Sequence, residues 1–209
     1  MNLQEIFRNI IDNSHLHARF LNTLSLMENT GARKISASEH KTQVSYLILK
    51  HASEEARHAF YLKKQIQKVA DLADFPTYEN PYLVAPFASY TYLHSLDIQL
   101  CRYLKSTLKL SGNDLKYAAY LLVTYAIEVR ADELYPIYQD ALDEAKSKVN
   151  VKSIIVEEEG HLAEMISQLK SFSEQWEMHA EKACNIERSL FEQWINALNS
   201  ELNNLPTNQ

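Results

Sequence analysis

The chain has 209 residues, a formal charge of -6, 46% apolar residues and no run of basic side chains. That length suits one domain with a sizeable core, and the charge argues against nucleic acid, whose phosphates need clustered Lys and Arg. Cys101 and Cys184 stand apart, which excludes a paired-cysteine zinc or redox motif and fits a reduced, cytoplasmic setting.

Residues 1–5 lack the basic and apolar regions of a signal peptide, and no apolar stretch reaches membrane-spanning length. Three Gly and five Pro in the whole chain predict long uninterrupted helices. Ile6, Ile10, Ile11, Phe20, Leu21, Leu24 and Met27 recur at helical spacing, so a first helix is expected over 2–34, ending either early at Gly31 or carried on through Ala32-Arg33-Lys34. Ser36 and Glu39 have the offset of a capping box, with Thr42 a second candidate cap. A second helix should follow to about 72, turning Val44, Leu47, Ile48, Ala52, Ala59 and Leu62 inward.

Pro76, Pro81 and Pro86 mark residues 73–86 as a loop. A further helix is expected over 87–110 and another from 114 to the mid-140s. Pro136 should interrupt or kink the latter, since it cannot bond the Asp132 carbonyl. The next helix starts near Asn150, and residues 174–204 are helical again. The expected organisation is a single domain over 1–209, with a bundle core over 2–170 and a C-terminal helical extension over 174–204.

One internal repeat stands out. Glu55-Ala56-Arg57-His58 and Glu158-Glu159-Gly160-His161 share the pattern Glu-Xaa-Xaa-His, and of eight histidines only these two follow a Glu by three. Each copy has a Glu upstream, Glu28 by 27 residues and Glu128 by 30. Residues three apart share a helix face, so each Glu and His can reach one metal. Two such helices and two single-carboxylate helices would enclose two metal ions.

The four acids sit within apolar stripes: Glu158 between Ile154 and Leu162, Glu55 beside Ala52 and Ala59, Glu128 beside Leu121, Tyr125 and Ala131, and Glu28 beside Leu21 and Leu24. Acids so placed need a partner; the alternative is four solvated acids at stripe edges. Four glutamates with two imidazoles suit iron or manganese, alone or mixed, and do not choose between them. Zinc favours fewer ligands and often Cys.

The segments Ser53-Glu54-Glu55-Ala56-Arg57-His58-Ala59 and Glu157-Glu158-Glu159-Gly160-His161-Leu162 resemble the second and fourth helices of the ferritin-like di-iron carboxylate proteins. That superfamily includes ferritins, rubrerythrins, ribonucleotide reductase small subunits and di-iron oxygenases. The resemblance implies an all-α fold: an antiparallel four-helix bundle with an additional crossover helix and a C-terminal helix. It also implies that Glu28, Glu55 and His58 serve one half of the cluster, and Glu128, Glu158 and His161 the other. Positions like Glu55 and Glu158 commonly bridge or switch coordination in that family.

Several neighbours have two readings. His51, one turn before Glu55, is either an extra ligand or a boundary histidine bonded to another helix. Tyr125, one turn before Glu128, either lines an oxygen pocket or is a core residue. Asp132, one turn after Glu128, either orients a ligand histidine or sits on a solvated edge. Glu54, Glu157 and Glu159 are offset by about 100° from the motif face and are expected in solvent.

The leading functional expectation is a di-iron oxidase or oxygenase acting on a small organic substrate with an external electron donor. Iron storage, ferroxidase or peroxide reduction is the alternative, and a non-catalytic helical scaffold the third. No membrane or nucleic-acid partner is expected, and a homodimer is an open option.

Overall fold

The computed structural model describes residues 2–204. Among these, the chain forms seven α-helices and no strand: α1 Leu3–Ile11, α2 Ser14–Ser38, α3 Tyr46–Gln65, α4 Pro86–Thr107, α5 Gly112–Glu144, α6 Lys152–Phe172 and α7 Trp176–Asn203. Three short 3-10 turns fill the connection between α3 and α4. No helix in the described residues is long and apolar enough to cross a membrane.

The architecture is an all-α helical bundle built from two hairpins. α2 packs along α3, and α5 along α6. Bonds from α3 join Lys50 to Glu164 and Arg57 to Glu157 of α6, and Tyr61 to Asn150 just before it, so those helices run antiparallel. α4 crosses over to pack on α5, α7 and α2, while α7 lies against α4 and α5. The C-terminal helix is tied in by a buried set in which Arg130 holds Glu187 through two bonds of 2.8 Å, and the Tyr92 hydroxyl also donates to Glu187.

One end of the bundle is closed by aromatic packing. Phe7, Phe20 and Tyr138 meet with ring centroids 5.2–5.6 Å apart, and Trp194 stacks on Phe20. The Tyr138 hydroxyl and His17 Nε2 share a hydrogen bond of 2.6 Å, and burial lowers the pKa of His17 to about 4. That ring is therefore neutral in the core.

Several boundaries differ from the sequence reading, each for a physical reason. The first predicted helix is two, because the Asn13 side chain accepts from the Leu16 amide and starts a new helix. Gly31 does not stop α2. Ala32 and Ile35 are buried beyond it, and that packing also overrides the Ser36–Glu39 capping signal, since Ser36 lies inside the helix. The next helix therefore starts at Tyr46, leaving Val44 exposed instead of inward. It ends at Gln65, short of residue 72. Pro136 lies inside α5 without breaking it.

Replacing Asn13 tests the new start. Asn13→Ala should cost about 1 kcal/mol of unfolding free energy, and Asn13→Gly only a few tenths, because glycine at this position leaves the amide open to water. Denaturant unfolding of the two variants beside wild type measures the difference.

Candidate metal centre

Each helix of the four-helix core sends one acid to a common point. Glu28 comes from α2, Glu55 from α3, Glu128 from α5 and Glu158 from α6. His58 and His161 join them from one turn further along α3 and α6. Glu55, His58, Glu128, Glu158 and His161 are buried, and Glu28 is half-buried.

The six fall into two overlapping groups, each with ligand atoms within 4.8 Å of one another. One is Glu28, Glu55, His58 and Glu158; the other is Glu55, Glu128, Glu158 and His161. Glu55 and Glu158 belong to both. This is a buried Glu/His cluster that can bind a metal ion. Gly31 lies against it, and a Cβ there would sit 3.7 Å from Glu55 Oε2, in ordinary contact.

The two imidazoles present the same edge to the centre. His58 Nδ1 lies 3.0 Å from Glu158 Oε1. His161 Nδ1 lies 3.3, 3.6 and 3.8 Å from oxygens of Glu158, Glu128 and Glu55. Their outward Nε2 atoms bond carboxylates crosswise: His58 on α3 to Glu157 on α6, and His161 on α6 to Glu54 on α3, both at 2.8 Å. Such outer bonds fix ring orientation and leave Nδ1 for a metal. Arg57 in turn holds Glu157.

The buried charges are poorly satisfied by protein alone. Burial, then Glu28, Glu158 and Glu128, push the Glu55 carboxyl well above the usual range. Burial and Glu158 do the same to Glu128. Burial also favours a neutral Glu158, but Glu128, His161 and His58 together outweigh it and hold this carboxyl below the usual range. For His161, burial is outweighed by Glu128 and Glu158, and its pKa rises to about 11. Protons thus do part of the neutralising that a cation would do. His58 Nδ1 and Glu128 Oε2 are buried without a hydrogen bond in acceptable geometry. Buried polar atoms rarely stay unpartnered, and both face the centre, so the residues present fit a metal.

The neighbours resolve less evenly. His51 is buried, with Nε2 on Glu164 at 2.8 Å and Nδ1 on the Tyr120 hydroxyl at 3.0 Å. Both ring nitrogens are engaged, and it stands outside the two groups. Tyr125 is half-buried on the side of α5 near Cys184. The tyrosine against the cluster is instead Tyr135, whose hydroxyl donates to Glu28. Asp132 is exposed and orients no ligand; Glu54 and Glu157 take that part. Those two were expected in solvent with Glu159, which is exposed.

An offset of 100° within a bundle can point at the next helix as well as at water, depending on its sense. The signal for Glu54 and Glu157 was the repeat itself, which reads Glu-Glu-Xaa-Xaa-His in both copies. Tyr135, two turns after Glu128, was also legible as lying on the same face.

Searches against family models, curated proteins and solved structures gave no match.

Two outcomes follow from this geometry. Glu54→Ala and Glu157→Ala should each weaken metal binding by about 10–100-fold while leaving helix content unchanged, as read by metal titration and circular dichroism. Glu128→Gln tests the buried charge. Because burial raises this carboxyl above its unfolded value of 4.5, the folded metal-free chain holds a proton that the unfolded chain has lost. Its contribution to stability therefore falls as pH rises above that value. Metal-free Glu128→Gln should be more stable than wild type at about pH 8, with the gap closing toward about pH 5, as followed by thermal unfolding.

Proposed function

We propose that this protein is a dinuclear metal oxidoreductase of the ferritin-like type, with iron as the favoured metal, which activates dioxygen to oxidise or oxygenate a small organic substrate. The observation that carries this reading is the pair of overlapping ligand groups sharing Glu55 and Glu158. Two ferrous ions held there would supply electrons and open coordination positions for dioxygen reduction. Manganese or a mixed Fe/Mn pair suits the same donors.

The roles of the side chains follow from their places. Glu28, Glu55, His58, Glu128, Glu158 and His161 would hold the metals, with Glu55 and Glu158 within reach of both ligand groups and the histidines offering Nδ1. Glu157 and Glu54 hold the outer Nε2–H bonds and keep the rings aligned. The Tyr135 hydroxyl fixes one oxygen of Glu28 and leaves the other for metal. The apolar side chains around the cluster limit water and strengthen each electrostatic contact. The two free cysteines, Cys101 and Cys184, offer no clustered thiols for an electron-carrying centre, so electrons come from an external donor.

An organic substrate is preferred to iron storage because Glu28, Glu55 and Glu128 open onto a cavity with a largely apolar wall. A storage route calls for a polar path for hydrated iron.

Metal stoichiometry tests the sharing. Wild type loaded anaerobically with ferrous iron should carry about two irons per chain, Glu158→Ala close to none, and Glu128→Ala about one. Elemental analysis reads all three. Retention of two irons by Glu158→Ala would remove the reading. On admission of oxygen, loaded wild type should consume it in a single turnover that the Glu158→Ala variant lacks.

A further inference from the structure

A cavity of about 320 Å³ runs beside the cluster. α5 lines it from Leu115 to Tyr135, and α2 from Leu24 to Ser38. At 1.5 Å per residue those walls are about 30 and 21 Å long. So small a volume over such a length leaves a narrow channel. Its wall is largely aliphatic, with Leu93, Val123 and Ile127 among its residues.

The two ends differ. At one, Leu134, Phe191 and Trp194 line the channel beside Arg130, whose charge is paired with Glu187, near the aromatic packing around Phe20. At the other are Ser38, Lys34 and Lys116. Lys34 pairs with Asp97 at 2.9 Å, whereas Lys116 is exposed and has no ion pair among the described residues. The Lys116 end therefore keeps an excess positive charge, while at the Trp194 end the one cation, Arg130, is paired with Glu187 and Glu133 and the other side chains are apolar. Glu28, Glu55 and Glu128 line the channel part-way along, Glu28 on α2 and Glu128 on α5 lying nearer the Trp194 end.

We propose that the channel binds an unbranched aliphatic chain with an anionic head group, the head at Lys116 and the tail at Trp194, so that interior carbons of the chain pass the carboxylate cluster. Narrowness selects an unbranched chain over a ring system. The aliphatic wall rewards each methylene taken from water, and the charge at the Lys116 end sets the direction of entry. This names the substrate class for the function proposed above and rests on that reading for any chemistry at the cluster. Binding of the chain itself requires no metal.

The two tryptophans of the sequence, Trp176 and Trp194, make a test. In a Trp176→Phe background the emission comes from Trp194 alone. Bromine on the terminal carbon of palmitate should quench it saturably, and unbrominated palmitate should reverse the quenching. Shorter acids should bind more weakly, by about three- to fourfold per methylene removed. Ala119→Phe, which narrows the channel between Lys116 and the cluster, should abolish quenching without loss of helix content.

Lys116→Glu, on the surface, should weaken palmitate binding about tenfold and leave the alcohol of equal length unaffected. Absence of saturable quenching overturns the proposal, and so does an affinity indifferent to chain length. Equal loss of acid and alcohol in Lys116→Glu overturns the assigned direction. Iron content of the same preparations separates the two readings. A protein that carries two irons and binds no chain loses this inference and keeps the metal centre. One that binds the chain and takes up no iron does the reverse.

Discussion

Four carboxyl groups from four helices meet in the apolar centre of this bundle, and the rest of the structure answers to that fact. Like charges at such distances, out of water, repel strongly and lose hydration. The protein alone compensates in part: Glu55 and Glu128 tend to keep their protons, while His58 and His161 are drawn toward their charged forms. Metal cations would replace those protons at the same points. Without metal, the raised Glu55 and Glu128 carboxyls hold protons that the same groups would lose in the unfolded chain, so they favour the folded state less as pH rises.

The geometry is maintained by side chains more than by close backbone packing. The backbones of α3 and α6 stay mostly more than 8 Å apart, leaving room for the ligands between them. The space is spanned by reciprocal bonds, His58 to Glu157 and His161 to Glu54, with Arg57–Glu157 and Lys50–Glu164 outside them. Each helix thus supplies a histidine of the cluster and the carboxylate that orients the other helix's histidine. A further buried histidine, His51, stands beside His161 with ring centroids 4.8 Å apart. Because Glu164 and Tyr120 engage both its nitrogens, it supports the wall of the site from below. α4 and α7 enlarge the bundle on the opposite side, where the channel lies, and the buried Tyr92–Glu187–Arg130 set holds them to α5.

Much of the fold was legible because helical periodicity is a local signal and this chain has few breakers to blur it. Glu28, Glu55, His58, Glu128, Glu158 and His161 were legible for the same reason. Three-residue spacing places a Glu and a His on one face, and an acid inside an apolar stripe needs a partner. The helix ends were less legible. Ser36 and Glu39 form a sound local capping pattern, yet burial of Ile35 gains more than the cap would, and the helix runs on. Tyr125 and Asp132 had suitable spacing from Glu128, but spacing along one helix does not fix what stands opposite.

The sequence by itself determined that the chain is helical and that six residues of the right chemistry recur on apolar faces, because both depend only on periodicities of one helix at a time. Only the tertiary structure decided which carboxylates serve both ligand groups, that Glu54 and Glu157 orient histidines on the opposite helix, that Tyr135 and not Tyr125 touches the cluster, and that a narrow channel passes beside it. Each of those depends on how separate helices are rotated and spaced against one another. Packing of the whole core sets that relation, and no single stretch of sequence encodes it.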